Sequence, residues 1–161
     1  MVGCMKSKQF VAKENDVRQL HRLIGTALLA MTPLLAQAGT PQVTASKPWI
    51  RYLLPSIPAG GYMVLQNSGD TAAVLIGASS PACGVVVLHQ SGQSGGVQMM
   101  WDVKTIVVPA HGSVSFDPSG YHLMCMKPMM KVGDTVEVTL TFENGSSIAV
   151  TAPVYGASGA P

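Results

Sequence analysis

The stretch Asp134–Val154 reads DTVEVTLTFENGSSIAVTAPV and contains the strongest structural signal in the chain. On each side of Asn144-Gly145, in residues 135–142 and 147–154, apolar and polar side chains alternate with a period of two. This alternation is typical of a half-buried β-strand. Asn-Gly tolerates the positive φ angles of a tight hairpin turn. The stretch therefore predicts an antiparallel β-hairpin.

The same pattern extends toward the N-terminus, where runs rich in Val, Ile, Leu, Thr and Tyr are cut by Gly, Pro, Asn, Asp and Ser. Many short, regularly spaced strands predict an all-β Greek-key β-sandwich or barrel. The segment Gln90–Gly96 is predicted to be a flexible loop. The predicted strands lie near 48–54, 60–67, 71–79, 84–90, 104–109, 113–117, 121–126, 135–142 and 147–154.

The first forty residues resemble an export signal. Arg18 and Arg22 precede a nearly uncharged apolar run at 23–36, and Ala36-Gln37-Ala38 provides a small-residue cleavage site. An uncleaved membrane anchor is the alternative, but the run is short for a membrane span, which needs about 20 residues. Cys4 lies ahead of the run, so lipid attachment just after it is not expected.

The chain is predicted to have four parts. We expect a removable signal peptide at 1–38, a linker at 39–46, one domain at 47–154 and a disordered tail at 155–161. The mature protein would be periplasmic, with no stable membrane span after cleavage.

The charge of the mature part excludes one class of partner. Five of the ten Lys and Arg residues and two of the eight acids precede the cleavage site, which leaves a net charge of about −1. No basic patch remains, so nucleic acid is not an expected partner.

Sequence motifs do not indicate an enzyme. The chain has no G-x-S-x-G elbow, no P-loop and no dinucleotide fingerprint. The acidic residues of the mature part lie mostly in turns or on predicted exposed faces, without the pattern of an acid/base pair. We therefore expect a non-enzymatic protein.

A sulfur-rich segment, HLMCM at 122–126, contains the candidate chemistry. On a strand, His122 and Met124 point to one side, while Leu123 and Cys125 point to the other. A face that carries both an imidazole and a thioether fits either a site of soft metal ligands or an unusual core. This segment alone does not decide between the two. His111, by contrast, lies in a predicted solvated turn.

The wider spacing adds His89 and Met100 to this pair and completes the pattern H-x10-M-x21-H-x-M. The pattern resembles the copper-binding signature of the periplasmic copper chaperone family called PCu(A)C. The flanking segments AGGYMVLQNSGD, VVVLHQ and GDTVEVTLTFENG also resemble that family, over about 47–154.

The resemblance implies a cupredoxin-like, immunoglobulin-like architecture and a Cu(I) carrier whose metal ligands are His89, Met100, His122 and Met124. It further implies delivery of copper toward the Cu(A) centre of an apo recipient such as cytochrome c oxidase subunit II. Two imidazoles and two thioethers form a soft, neutral ligand set that suits Cu(I) and is poor for Mg²⁺ or Ca²⁺.

Two alternatives remain at this stage. A blue-copper electron-transfer protein needs a cysteine between two histidines, whereas Cys83 precedes both candidate histidines and Cys125 follows them. A metal-free exported β-sandwich used in adhesion or assembly is the other alternative.

Several further side chains lie outside the four-ligand pattern. Cys125 stands where the family usually has an apolar residue, so it is expected to be in the core or in a disulfide with Cys83. Trp101 either packs or shields the metal. Trp49 and Tyr62 are expected in the core. Packing is expected for Met129 and Met130, and the roles of Met99 and Met126 stay open.

Overall fold

The computed structural model describes residues 42–160, so the predicted signal peptide at 1–38 lies outside the described residues. This part of the chain contains ten β-strands and no helix. Accordingly, no helical segment within it has the length and apolarity that crossing a membrane requires. The strands are β1 Val43–Arg51, β2 Ala59–Asn67, β3 Ala73–Ser79, β4 Cys83–Ser94, β5 Val97–Asp102, β6 Ile106–Val108, β7 Gly112–Phe116, β8 Tyr121–Pro128, β9 Thr135–Phe142 and β10 Ser147–Tyr155.

The strands form one sheet in the order β5-β4-β8-β7-β2-β1-β10-β9-β3-β6. Additional pairing of β3 with β4 closes this sheet on itself, and β8 also pairs directly with β2. Most neighbours are antiparallel, while β1 with β10 and β7 with β8 are parallel. This architecture confirms the predicted all-β sandwich or barrel.

The hairpin predicted from Asp134–Val154 is present as β9 and β10. The two strands pair in continuous register from Thr135 opposite Pro153 to Thr141 opposite Ser147. Gly145 adopts a φ of 82°, which favours glycine over other residues. The side chain of Asn144 accepts a hydrogen bond from the backbone N–H of Ser146 at 3.0 Å. Local turn chemistry and alternating burial therefore act together here.

Side chains that point into the closed sheet form one apolar core. Complete burial of each Leu, Ile, Val or Phe side chain contributes roughly 1.5–3 kcal/mol, so this core supplies most of the driving force for folding. With the inner faces filled, chemistry is left to the outer faces and the loops. The largest fully buried members of the core are Phe142, Leu65, Leu75, Ile106, Leu140, Val108 and Val154.

A disulfide joins Cys83 of β4 to Cys125 of β8, with the Cα atoms 5.4 Å apart. Both residues are buried in the core. The pairing left open by the sequence is therefore present. It fastens together the two strands on which the candidate histidines lie.

The structure differs from the predicted strands at the segment expected to be a flexible loop. Residues 90–94 continue β4, Gly95 and Gly96 form a turn with φ angles of 58° and 79°, and β5 follows as an unpredicted strand. Every residue of β5 is exposed, so its sequence lacks the apolar alternation that marks a half-buried strand.

Differences also occur near the ends of the domain. Strand β1 begins at Val43, inside the stretch predicted as a linker. At the other end, β10 includes Tyr155, and the predicted disordered tail continues as a turn in which the N–H of Gly159 donates to the carbonyl of Gly156 at 3.1 Å. This turn lies against the ring of Trp49, which is half-buried rather than in the core.

The exposed methionine Met129 corrects another packing prediction. It is 66% exposed, whereas Met130 is buried in the core as expected. Burial still alternates from Lys127 to Met130, but its phase shifts at Lys127, where φ is 50°, so parity counted from Leu123 and Cys125 does not give the direction of the two methionines.

Candidate metal centre

Three neighbouring strands, β5, β4 and β8, carry the four candidate ligands. His89 of β4 lies directly opposite His122 of β8, and Met100 of β5 lies opposite Ser91 of β4. Side chains in directly opposed register positions point to the same face of a sheet. Met124 lies two residues beyond His122 and shares its face. Strand register therefore brings the four residues to one outer face.

The two histidine rings are in an edge-to-face arrangement. Their centroids are 5.6 Å apart, and the ring planes meet at 78°. Metal–imidazole bonds of about 2 Å put the centroids of two rings that share one ion roughly 5–6 Å apart. The observed separation is therefore compatible with a shared ion, without a change in the backbone.

A cleft of about 430 Å³ opens beside this pair. Met100, His122 and Met124 line it, whereas His89 is not part of its wall. Three of the four predicted ligands thus line one cavity. The fourth, His89, lies behind the wall, with its ring next to that of His122. The remaining wall comes from Arg51, Leu53, Ile57, Pro58, Gly60, Tyr62, Ser91, Gln98 and Pro118.

His122 is held in a defined orientation. The residue is only 3% exposed, and Nδ1 lies 3.2 Å from the carbonyl oxygen of Gly120. A carbonyl can only accept, so Nδ1 carries the proton and Nε2 keeps a free lone pair. Burial lowers the pKa of His122 below its ordinary value, and the hydrogen bond to Gly120 opposes this effect only in part. The ring is therefore neutral at neutral pH, as a metal ligand must be.

His89 has the complementary arrangement. Its Nε2 lies 2.7 Å from a carboxylate oxygen of Asp102, the residue opposite it on β5. Its Nδ1 is buried and has no hydrogen-bond partner. A buried, unpaired ring nitrogen costs about 1–3 kcal/mol unless something satisfies it. A metal ion is one group that would do so.

The two methionines differ in exposure. Met124 is half-buried, whereas Met100 is 56% exposed on the fully exposed strand β5. One thioether therefore belongs to the fixed wall of the cleft. The other lies on the hairpin formed by β4 and β5, at the rim of the cleft.

Aromatic and charged side chains enclose the far side of the cleft. Tyr62 is buried, with its ring centroid 6.4 Å from that of His122 and 4.5 Å from that of Trp49. The guanidinium carbon of Arg51 lies 5.7 Å from the centre of the Tyr62 ring. Burial raises the pKa of Tyr62, and the nearby Arg51 charge opposes that shift. Tyr62 is thus a neutral wall residue at physiological pH.

The available donors fit a soft, monovalent metal. In residues 42–160, no three side chains of His, Cys, Asp or Glu converge as metal ligands. One imidazole and two thioethers line the cleft, and the imidazole of His89 lies beside that of His122; such nitrogen and thioether donors suit Cu(I). The unpaired Nδ1 of His89 and the free Nε2 of His122 are the ring atoms available for coordination.

The remaining sequence candidates lie outside this group. His111 is an exposed turn residue with a φ of 51° and pairs with Asp70 at 2.9 Å, in agreement with the solvated reading. Met126 is half-buried and Met99 is 48% exposed; neither lines the cleft. Trp101 lies next to Met100 and so on the opposite side of the hairpin, where its ring covers Gly92.

Sequence reasoning missed three contributors to the site: Asp102, the carbonyl of Gly120 and the wall position of Tyr62. Asp102 lies two residues after Met100, so an extended β5 puts both on one face. That signal was available only if residues 97–102 had been recognised as a strand.

Known proteins resemble this chain in both sequence and structure. The family described as "Putative lipoprotein LpqE-like" matches residues 43–154. A protein of Leifsonia xyli subsp. xyli, named a putative lipoprotein, is 32% identical over 121 residues, which cover 73% of this chain and 72% of the relative.

Two solved structures share the fold. The copper-bound PCuAC domain from PmoF2 is 26% identical with a TM-score of 0.58, over 71% of this chain and 93% of that domain. The solution structure of Cu(I)-DR1885 from Deinococcus radiodurans is 31% identical with a TM-score of 0.56, over 74% of this chain and 81% of that one. The match over residues 43–154, together with these structures, shows that the chain belongs to the LpqE-like family and has a domain of the PCu(A)C type.

Proposed function

We propose that this protein is an exported, non-enzymatic copper chaperone that binds Cu(I) through His89, Met100, His122 and Met124. The observation that carries the proposal is the shared outer face. His89 opposes His122 across the β4–β8 seam, and both methionines line the cleft next to them. The relatives in solved structures are described as copper-bound and Cu(I)-bound, which agrees with this ligand chemistry.

Neutral nitrogen and thioether donors suit a carrier. They hold Cu(I) without the tighter grip of a thiolate, so a recipient with stronger ligands can remove the ion. The exposure of Met100 supports release by stepwise ligand exchange, because a recipient could reach the metal at the rim of the cleft first. Thioethers also do not form disulfides, which suits an oxidising compartment.

We further propose that the protein acts in the periplasm and passes copper toward the Cu(A) site of cytochrome c oxidase subunit II. Support for export comes from the apolar run at 23–36 with its A-x-A site. Lipoprotein names among the relatives agree with an exported protein. The recipient follows from the family resemblance alone.

Anaerobic titration with Cu(I) without a thiol reductant, so that the Cys83–Cys125 disulfide stays intact, tests the proposal in competition with a Cu(I) chelator. We expect one Cu(I) per chain and a large loss of affinity in His122→Ala and Met124→Ala. His111→Ala and Met129→Ala are matched controls, because each removes the same donor type at an exposed position outside the cleft. Wild-type affinity in both cleft variants would overturn the ligand assignment.

The disulfide argues against a blue-copper electron-transfer protein. Such a site needs a cysteine thiolate, whereas Cys83 and Cys125 are bonded to each other. An intense visible band on addition of Cu(II) would favour that alternative nevertheless. Absence of stoichiometric copper binding would favour the metal-free adhesion or assembly module.

A further inference from the structure

We propose that Asp102 is a positioning residue that fixes the tautomer of His89 and so directs the metal to Nδ1 of that ring. The inference rests on the proposed function, because it concerns the same copper site. It adds a residue outside the four-ligand pattern and specifies which ring atom of each histidine binds.

A hydrogen bond joins His89 to Asp102. The two residues are direct register partners in the β4–β5 hairpin, and Nε2 lies 2.7 Å from the carboxylate oxygen. An ionised carboxylate only accepts hydrogen bonds, so the proton of the neutral ring must be on Nε2. The lone pair is then on Nδ1, the atom that is buried and unpaired.

His122 has the opposite tautomer. There the carbonyl of Gly120 holds the proton on Nδ1 and leaves the lone pair on Nε2. The two rings thus offer different nitrogens. The ring centroids are 5.6 Å apart, a separation compatible with two imidazoles that bind one ion.

The hydrogen-bond acceptor at His89 is a carboxylate, whereas the acceptor at His122 is a backbone carbonyl. A carbonyl would be sufficient to select a tautomer, but a carboxylate also raises the basicity of the bound imidazole. Four neutral ligands around Cu(I) leave one positive charge, and Arg51 adds another at the edge of the cleft. Asp102 supplies a compensating negative charge, although water screens part of it because the side chain is 78% exposed.

The position of Asp102 on β5 also affects Met100. Asp102 and Met100 are two residues apart on one strand and share its cleft-facing side. The contact with His89 therefore fastens the base of the exposed hairpin on which Met100 lies. Asp102 orients one ligand directly and limits the position of a second one.

The test uses the metal-free protein first, so that its readout does not depend on copper. With ¹⁵N-labelled histidine at about pH 8.5, above the range in which imidazoles titrate, the ring nitrogen shifts report the tautomer. We expect the Nε2–H form of His89 in the wild type. Asp102→Ala should give a tautomer mixture. Asp102→Asn should keep the Nε2–H form, because the amide oxygen still accepts the hydrogen bond.

Cu(I) affinity is measured on the same variants. Removing a group that hydrogen-bonds to a metal ligand typically lowers metal affinity about 10–100-fold, and we expect a loss of that size in Asp102→Ala and a smaller one in Asp102→Asn. Asp70→Ala is the matched control, because it removes the carboxylate of the other histidine–aspartate pair, at His111. It should leave affinity unchanged.

Failure of this inference is distinct from failure of the proposed function. An Nδ1–H form in the wild type would overturn the role of Asp102, as would an unchanged tautomer and unchanged affinity in Asp102→Ala. An equal loss of Cu(I) affinity in Asp102→Ala and Asp102→Asn would show that only the charge of Asp102 acts. That result would also overturn the proposal. Undiminished affinity in His89→Ala would instead remove His89 from the ligand set and contradict the proposed function itself.

Discussion

Reduction of the Cys83–Cys125 disulfide should destabilise the metal-free protein by an amount that follows from its position in the chain. The cysteines are 42 residues apart, and cross-linking a loop of that length stabilises the fold by about 4 kcal/mol at 25 °C through the entropy of the unfolded chain. Domains of this size are typically stable by only about 5–15 kcal/mol. The reduced protein should therefore unfold at a much lower urea concentration.

The assay is urea denaturation of the metal-free protein with and without reductant, analysed by linear extrapolation. A control is the double variant Cys83→Ala with Cys125→Ala, in which reductant should have no effect. A difference below about 1 kcal/mol between oxidised and reduced wild type would contradict a stabilisation by loop closure in the unfolded chain. It would mean that the unfolded chain is already constrained, or that the bridge strains the native strands.

Three further predictions concern packing, pH and the β4–β5 hairpin. Met130→Ala should lower the free energy of unfolding by about 2–5 kcal/mol, because Met130 is buried in the core. Met129→Ala, at the exposed neighbour, should change it by less than about 0.5 kcal/mol. Equal effects of the two substitutions would contradict the assigned burial. Burial lowers the folded-state pKa of His122, so at this residue the unfolded chain binds more protons below about pH 6.5. The contribution of His122 to stability should therefore be constant above that pH and fall below it. His122→Gln should weaken this fall in urea denaturation across pH, and an unchanged slope would exclude His122 as its source. Amides of residues 90–100 should exchange faster in the metal-free protein than with Cu(I) bound, because β5 is wholly exposed and Met100 would fasten it to the cleft; equal protection would argue against Met100 as a ligand.

Local patterns were sufficient for much of the fold. The β9–β10 hairpin was predictable because its turn residues and its alternation lie within one short stretch. The division of residues 122–125 into two faces was predictable for the same reason. Leu123 and Cys125 are in the core, and His122 and Met124 face the cleft.

Features that depend on strand pairing were not predictable. Strand β5 shows no alternation because both of its faces are exposed. Cys83 can be assigned to Cys125 only once β4 is known to pair with β8. The contact of Asp102 with His89 likewise requires the register of β4 and β5.

The shift in the phase of alternation at Lys127, near the end of β8, was also not predictable. Met129 and Met130 follow the last residue of β8, and one is exposed while the other is buried. Hydrophobicity is identical for the two, so only the path of the backbone distinguishes them.

We propose that two imidazole nitrogens and two thioether sulfurs bind one Cu(I). X-ray absorption of the Cu(I)-loaded protein measures the number and type of donor atoms directly. We predict two nitrogen and two sulfur neighbours in the wild type, and only one sulfur in Met124→Ala. A copper environment without sulfur, or one that Met124→Ala leaves unchanged, would contradict the claim.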